Sequence, residues 1–270
     1  MQIFGLILAA ASALSLQPAP NAITLRPASA SLVIPAVGNV AGGNGTFFRT
    51  DLTLVNHADA ARKVALTFIE RDRDNTTAVP TYVTLPPRTV LFLDNFVATT
   101  LQKSGLGALT IRAVNENNTF DSTGRLDAFA RIYTQQPGTS GTVSQPFYAV
   151  RADELSSNRT NPAYVIGLKQ DAQFRTNIGI VNLDNSAAQS YLINIVGTRR
   201  SATMRVDLGV LSMTQVPLPE GDFGDLYLVI TPESSLLDPF GDGSYASYGS
   251  SVDNTTGDSW SVAGTFGFGR

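Results

Sequence analysis

Apolar side chains recur at every second position in short runs along this chain, and clusters of Asn, Asp, Gly and Pro separate the runs. A period of two puts successive side chains on opposite faces of a strand, so the runs predict half-buried β-strands rather than helices. The clearest run is Phe48 to Asn56, in which Phe48, Thr50, Leu52 and Leu54 share one face. Arg49, Asp51 and Thr53 share the other, which is expected to face solvent. A polar turn, Asn56 to Ala60, leads into Val64, Leu66 and Phe68, and two alternating runs so joined predict a β-hairpin. Outside the N-terminus no pattern supports an amphipathic helix of three turns. Val97 to Lys103 allows one short turn of helix at most.

The same run returns 126 residues later, where Phe48-Arg49-Thr50-Asp51-Leu52-Thr53-Leu54-Val55-Asn56 becomes Phe174-Arg175-Thr176-Asn177-Ile178-Gly179-Ile180-Val181-Asn182. Five positions are identical. The later strands keep their order as well. Val64, Leu66 and Phe68 answer to Tyr191, Ile193 and Ile195, and the Val83 to Leu91 segment answers to Val206 to Thr214. Gly107 to Ile111 answers to Asp225 to Val229, and Ala128 to Tyr133 answers to Tyr245 to Ser250. Repetition at this spacing predicts an all-β chain of two tandem Ig-like antiparallel β-sandwich units related by internal duplication, each with about six or seven strands. One larger sandwich or barrel built from two pseudo-symmetric halves would leave the same pattern. Upstream of the shared run, Val33 to Phe48 spans 15 positions against 9 for Val165 to Phe174, so the first copy holds six extra residues around Gly38 to Gly45, read as a flexible insertion.

These segments divide the chain into a signal peptide over 1–22, a first repeat over 31–151, a linker over 152–162 and a second repeat over 163–264. The leader rests on Ile3 to Leu16, an apolar run of fourteen residues followed by a polar, proline-containing stretch. A span through a bilayer needs about twenty apolar residues, so export with removal of the leader is expected rather than a retained anchor. The linker, Ala152 to Pro162, is polar and without period.

The chain resembles exported bacterial proteins built of a duplicated Ig-like β-sandwich unit, with an F-R-T-[DN]-[LI]-x-[LI]-V-N strand in each copy. Tyr245 to Asp258, which brings an Asp-Asn and a Gly-Asp together, fits the closing segment of that type. The resemblance covers nearly all of residues 31 to 264 and implies an architecture and a periplasmic, cell-surface or extracellular location. It assigns no activity. The first copy has Gln135 to Gly141 where the second has Asp253 to Asp258, so a binding loop there would belong to the second copy alone.

Charge and chemistry narrow the functions. Charged residues are 15% of the chain with a formal net charge of −3, which excludes a basic footprint for nucleic acid. Cysteine is absent, so stability comes from packing without disulfides, and the zero count agrees with a bacterial exported protein. His57 is the one histidine, in a turn where the second copy has Leu183, and no G-x-S-x-G elbow occurs, so no catalytic residue is assigned. Calcium is the one cofactor left open. Its ligands would be loop oxygens, with Asp253, Asn254 and Asp258 as the chosen set and Glu70 to Asn75 and Asp238 to Asp242 as other acidic clusters. Tyr245, Tyr248 and Trp260 are the ligand-binding candidates, as an aromatic platform at one sandwich end; the competing reading packs Trp260 in the core. The sequence thus points to a non-enzymatic structural or interaction module of adhesion type, with a protein or polysaccharide partner at the cell surface and no membrane span once the leader is gone. A carbohydrate-binding module is the alternative, and an extracellular hydrolase with two carboxylates in a cleft the third.

Overall fold

The alternating runs become antiparallel strands throughout. A computed structural model describes residues 28–266 apart from 136, 137, 139, 158, 159 and 234–243, so the leader expected over 1–22 and the Asp238 to Asp242 cluster lie outside the described residues. The first half contains β1 (Ser31–Ala41), β2 (Phe47–Asn56), β3 (Arg62–Glu70), β4 (Thr81–Leu85), β5 (Val90–Leu93), β6 (Gly105–Val114), β7 (Leu126–Gln135), β8 (Thr142–Tyr148) and β9 (Val150–Arg151). The second contains β10 (Ala163–Gln170), β11 (Phe174–Asn182), β12 (Gln189–Gly197), β13 (Ser201–Leu208), β14 (Ser212–Pro217), β15 (Gly224–Glu233), β16 (Tyr245–Asp253), β17 (Ser259–Ala263) and β18 (Thr265–Phe266). Helix is confined to α1 (Phe96–Thr99) and α2 (Ala152–Ser157) among the described residues, and α1 is the short turn expected near Val97. The fold is all-β with several antiparallel sheets.

In the first half β4-β3-β6-β1-β9 form one layer and β5-β2-β7-β8 another. Leu32, Ile34 and Ile111 of one layer meet Leu52, Leu54 and Ala130 of the other in a shared core, an arrangement compatible with a β-sandwich. The second half pairs its strands in the same order, β13-β12-β15-β10-β18 and β14-β11-β16-β17, around its own core of Val165, Ile178, Ile180, Ile193 and Leu228. A register shift interrupts β1 between Ile34 and Val37, and another interrupts β10 between Val165 and Leu168. The six extra residues make one difference between the halves. They lengthen β1 until Val40 and Ala41 pair with Phe48 and Phe47, which joins the two layers of the first half into one nine-stranded sheet. The segment read as a flexible insertion is therefore ladder, closed by a 3-10 turn at Gly43–Gly45.

The expected hairpins do not form. β2 pairs with β1, β5 and β7, whereas β3 pairs with β4 and β6, so the turn after Asn56 carries the chain from one layer to the other. The turn after Asn182 does the same between β11 and β12. A buried asparagine holds each crossing. Asn56 Oδ1 accepts from the Ala58 amide at 3.0 Å, and its Nδ2 donates to the carbonyls of Ala60 and Pro86, both at 2.9 Å, so one side chain ties the crossing to the β4–β5 turn. Asn182 accepts from Asp184 N at 3.0 Å and donates to Ala187 O and Gly209 O at 2.9 and 2.8 Å. At the other end of the same strands, Thr50 Oγ1 donates to Gly38 O at 2.8 Å and accepts from Gly38 N at 2.7 Å, while Thr176 Oγ1 donates to Lys169 O at 2.6 Å. The threonines thus fasten each strand to the stretch of β1 or β10 just past its register shift.

The halves also share a third apolar cluster, in which Val33, Ile69, Ala108 and Leu155 of the first meet Val181, Met213 and Ala246 of the second. Leu155 lies on α2, so the first part of the segment read as a linker is a packed turn of helix between the halves. Polar contacts close the rim of the joint. Asp72 N donates to Met213 O at 2.8 Å, Thr214 Oγ1 donates to Asp72 Oδ1 at 2.6 Å, and Asn75 Nδ2 donates to Leu211 O at 3.0 Å. Consequently the face of β11 that matches the expected solvent face of β2 is covered, with Val181 fully buried; on β2 itself Asp51 is only 7% exposed because Asn95 and Arg131 of its own half lie against it.

Removing Asn56 or Asn182 leaves several buried backbone groups without partners, each at a cost of about 1–3 kcal/mol. Asn56→Ala and Asn182→Ala should each lower the unfolding free energy by about 2 kcal/mol. The Asp variants should do at least as much damage, because an ionised carboxylate cannot donate to carbonyls. Urea titration reads this directly, and wild-type midpoints in all four variants would show the ties to be dispensable.

Candidate functional site

The three aromatic candidates separate. Tyr245 opens β16 directly opposite Asn182, the place that Leu126 holds opposite Asn56 in the first half, so register puts it in the core. It is fully buried against Tyr191 and Phe266, with ring centroids 5.2 and 5.3 Å away, and its hydroxyl donates to Asn161 O at 2.7 Å. Tyr248, three residues on, faces the other way into the joint. Its ring lies over Gly179, where a Cβ would meet it at 2.0 Å, and its hydroxyl donates to Gln215 Oε1 at 2.6 Å. The Phe147 ring of the first half packs edge-on against it at 5.3 Å. Burial pushes both phenols well above their ordinary range. Neither belongs to an exposed platform, which corrects the expectation of a Tyr245, Tyr248 and Trp260 surface: an aromatic at these registers is anchor, not display.

Trp260 is half-buried on β17. Its Nε1 donates to Gly167 O at 2.8 Å and its ring meets Phe174 edge-on at 5.7 Å, so both ends of the indole are held. The rest borders an open groove of about 520 Å³ with Ile166, Val196 and Tyr227, of which Ile166 is 61% exposed. Ile166 and Tyr227 were missed as candidates. Ile166 sits in the β10 register shift, where alternation fails as a guide to facing, and Tyr227 stands on the outer face of a strand whose inner face, Leu226, Leu228 and Ile230, dominates the pattern.

Asp253, Asn254 and Asp258 do come together, as the turn between β16 and β17. The Asp253 carboxylate accepts from the amides of Thr255 and Thr256 at 2.7 and 3.2 Å, and those bonds hold it below the usual carboxylate range. Asn254 Oδ1 accepts from Arg175 Nη1 at 2.6 Å, and Asp258 Oδ1 accepts from Ser259 N at 2.9 Å. The oxygens a cation would use therefore serve the turn itself, with a guanidinium beside them. No group of three or more His, Asp or Glu is placed to hold a metal among the described residues. Glu70 to Asn75, the other described cluster, is the clasp of the joint.

Two further features concern the remaining chemistry. His57 is exposed at its turn, with its amide donating to Arg125 O at 2.8 Å. On the outer face of β2, Asp51 Oδ1 accepts from Asn95 N at 3.0 Å and has the Asp94 carboxyl as a neighbour. Burial and that neighbour raise its carboxyl above the ordinary value against the opposing Asn95 amide, and Arg131 lies 3.6 Å away. A row of aromatic side chains stands beside this pair. Phe92 pairs across with Thr53, Thr53 with Phe129, and Phe129 with Tyr148, whose ring lies 5.1 Å from Phe129. Phe92 is 60% and Tyr148 67% exposed. The letters held a signal for this face, because Val90-Leu91-Phe92-Leu93 is apolar at every position and an unbroken run marks a strand with apolar side chains on both faces.

With Arg175 against Asn254 and backbone amides on Asp253, millimolar calcium should leave the melting temperature and the Trp260 emission of the wild type unchanged. A calcium-dependent, chelator-reversible rise in melting temperature would overturn that reading of the turn.

No protein-family model and no curated protein matches the chain. Among solved structures, a crystal structure of Thermotoga maritima 1070 is similar at 15% identity with a TM-score of 0.32, over 46% of this chain and 96% of that one. A likeness at that score supports no statement about this chain.

Proposed function

We propose that the chain is an exported, non-enzymatic structural or interaction module, made of two copies of one Ig-like sandwich unit, that works by presenting the faces of its sheets to a partner outside the cytoplasm. The observation that carries this is the outer face of β5, β2, β7 and β8, where Val90 and Phe92 on β5 and Tyr148 on β8 are each more than half exposed, with the half-buried Phe129 on β7 against Tyr148. Large apolar side chains scattered singly on a surface need no explanation, but several that line one face of a sheet, interrupted only by Thr53, mark a contact surface. The shared strand order and the recurring Phe-Arg-Thr strand support duplication, and the Ile3 to Leu16 run supports export. On this reading the mature chain begins after the proline-containing stretch that ends near residue 22.

Hydroxyl-radical footprinting of the protein in its producing cells, compared with the purified protein, tests the proposal. Phe92 and Tyr148 should be protected in place and reactive once purified, and the recovered chain should lack its leader. Equal reactivity in both settings would sink the idea that this face is a working surface.

Glycan capture is the second reading, favoured by the groove that Trp260, Tyr227 and Ile166 border. On this reading, titration with polysaccharide fragments shifts Trp260 emission saturably, and Tyr227→Ala abolishes the shift. Emission indifferent to every glycan removes the reading.

A further inference from the structure

The joint between the halves is asymmetric, and each side of it has an unused counterpart on the same chain. The second half contributes the outer face of β14, β11 and β16, with Met213, Val181 and Tyr248, which acts as a plug. The first half contributes the outer face of β3, β6 and β1, with Ile69, Ala108 and Val33, which acts as a socket. Register identifies the matching positions in the other copy. Met213 pairs with Val181 as Val90 pairs with Val55, and Tyr248 pairs with Gly179 as Phe129 pairs with Thr53. The first half therefore carries its own plug face, and it is the exposed apolar one, with Val90, Phe92 and Tyr148 exposed around a half-buried Phe129. On the other side, Ile69 pairs with Ala108 as Val196 pairs with Tyr227. The second half's socket face is thus the one that bears Val196, Tyr227 and the neighbouring Ile166, of which Tyr227 and Ile166 are exposed and Val196 half-buried.

We infer that the chain associates with further copies of itself head to tail, the free plug face of one first half seating on the free socket face of another second half. A contact between two different faces leaves one of each unused at the ends of an open assembly, so it extends as a series until it closes as a ring. The intermolecular contact is weaker than the internal joint. The clasp of Asp72 and Asn75 has no counterpart in the second half, where β12 turns into β13 within Thr198 to Arg200, and Asp127 stands on the free plug where Ala246 stands on the seated one. Association is accordingly reversible and concentration-dependent. This inference rests on the proposal that the chain is an interaction module and names a second copy as the partner.

Sedimentation velocity of the protein, purified as it accumulates in cells, should show mass rising from the monomer with concentration. Phe92→Asp with Tyr148→Asp blocks the plug, and Ile166→Asp with Tyr227→Asp blocks the socket. All four positions are exposed, so both double variants should keep the wild-type melting temperature and each alone should stay monomeric. Mixed together they should form a one-to-one dimer, because one retains the plug and the other the socket. A wild-type monomer at every concentration would overturn the inference, as would a dimer abolished by one double variant and untouched by the other, which is the signature of a face meeting itself. A monomer in solution combined with protected Phe92 and Tyr148 in cells would remove self-association while leaving the module reading in place with a different partner.

Discussion

Each half depends on polar ties at the two ends of one strand. Thr50 and Thr176 reach the backbone of β1 and β10, and Asn56 and Asn182 hold the crossing between layers from inside the protein. Apolar packing between two sheets is strong but non-directional, and many slips of one sheet over another would bury similar area. A buried hydrogen-bonding side chain has no such freedom, since displacing it strands its partners away from water. This explains which letters recur. Among the identical positions of the two strands are the Thr and the Asn, while Leu52 and Leu54 drift to Ile178 and Ile180 at no loss of apolar volume.

The joint shows how the same register can serve two ends. Gly179 admits the Tyr248 ring because it has no Cβ, and Gln215 then takes the Tyr248 hydroxyl, so a phenol is buried between halves with its polar atom satisfied. In the first half those three positions are Thr53, Phe129 and Phe92, which fill the surface without any hydroxyl needing a buried partner. One half therefore lies against its neighbour through this face, while the matching face of the other half remains exposed. The Glu70 to Asn75 segment, whose acidic letters suggest a cation site, instead spends its polar atoms on Leu211, Met213 and Thr214.

Of the candidate site, the sequence made legible that Asp253 to Asp258 form a turn with Trp260 just after it, but not the surroundings of either. Tyr245 and Tyr248 looked alike in the letters, as aromatics near a polar loop, yet an offset of three residues sends one into the core of the second half and the other into the joint. The apolar run Val90 to Leu93 was readable as a strand covered on both faces, and it is the exception, because its outer face is left open.

The sequence by itself determined where the strands are, that they recur, and that helix is nearly absent, since period-two alternation and turn residues are local and each strand carries its own record of them. Which strand lies beside which was decided only in three dimensions. A five-residue polar turn looks the same whether it closes a hairpin or arches from one layer to the other, and the choice is made by Asn56 and Asn182 bonding to turns distant in the chain. Solvent exposure of a strand's second face was likewise beyond the letters. It depends on whether another half of the molecule covers it, and the alternation records only which residues oppose each other, not what lies beyond them.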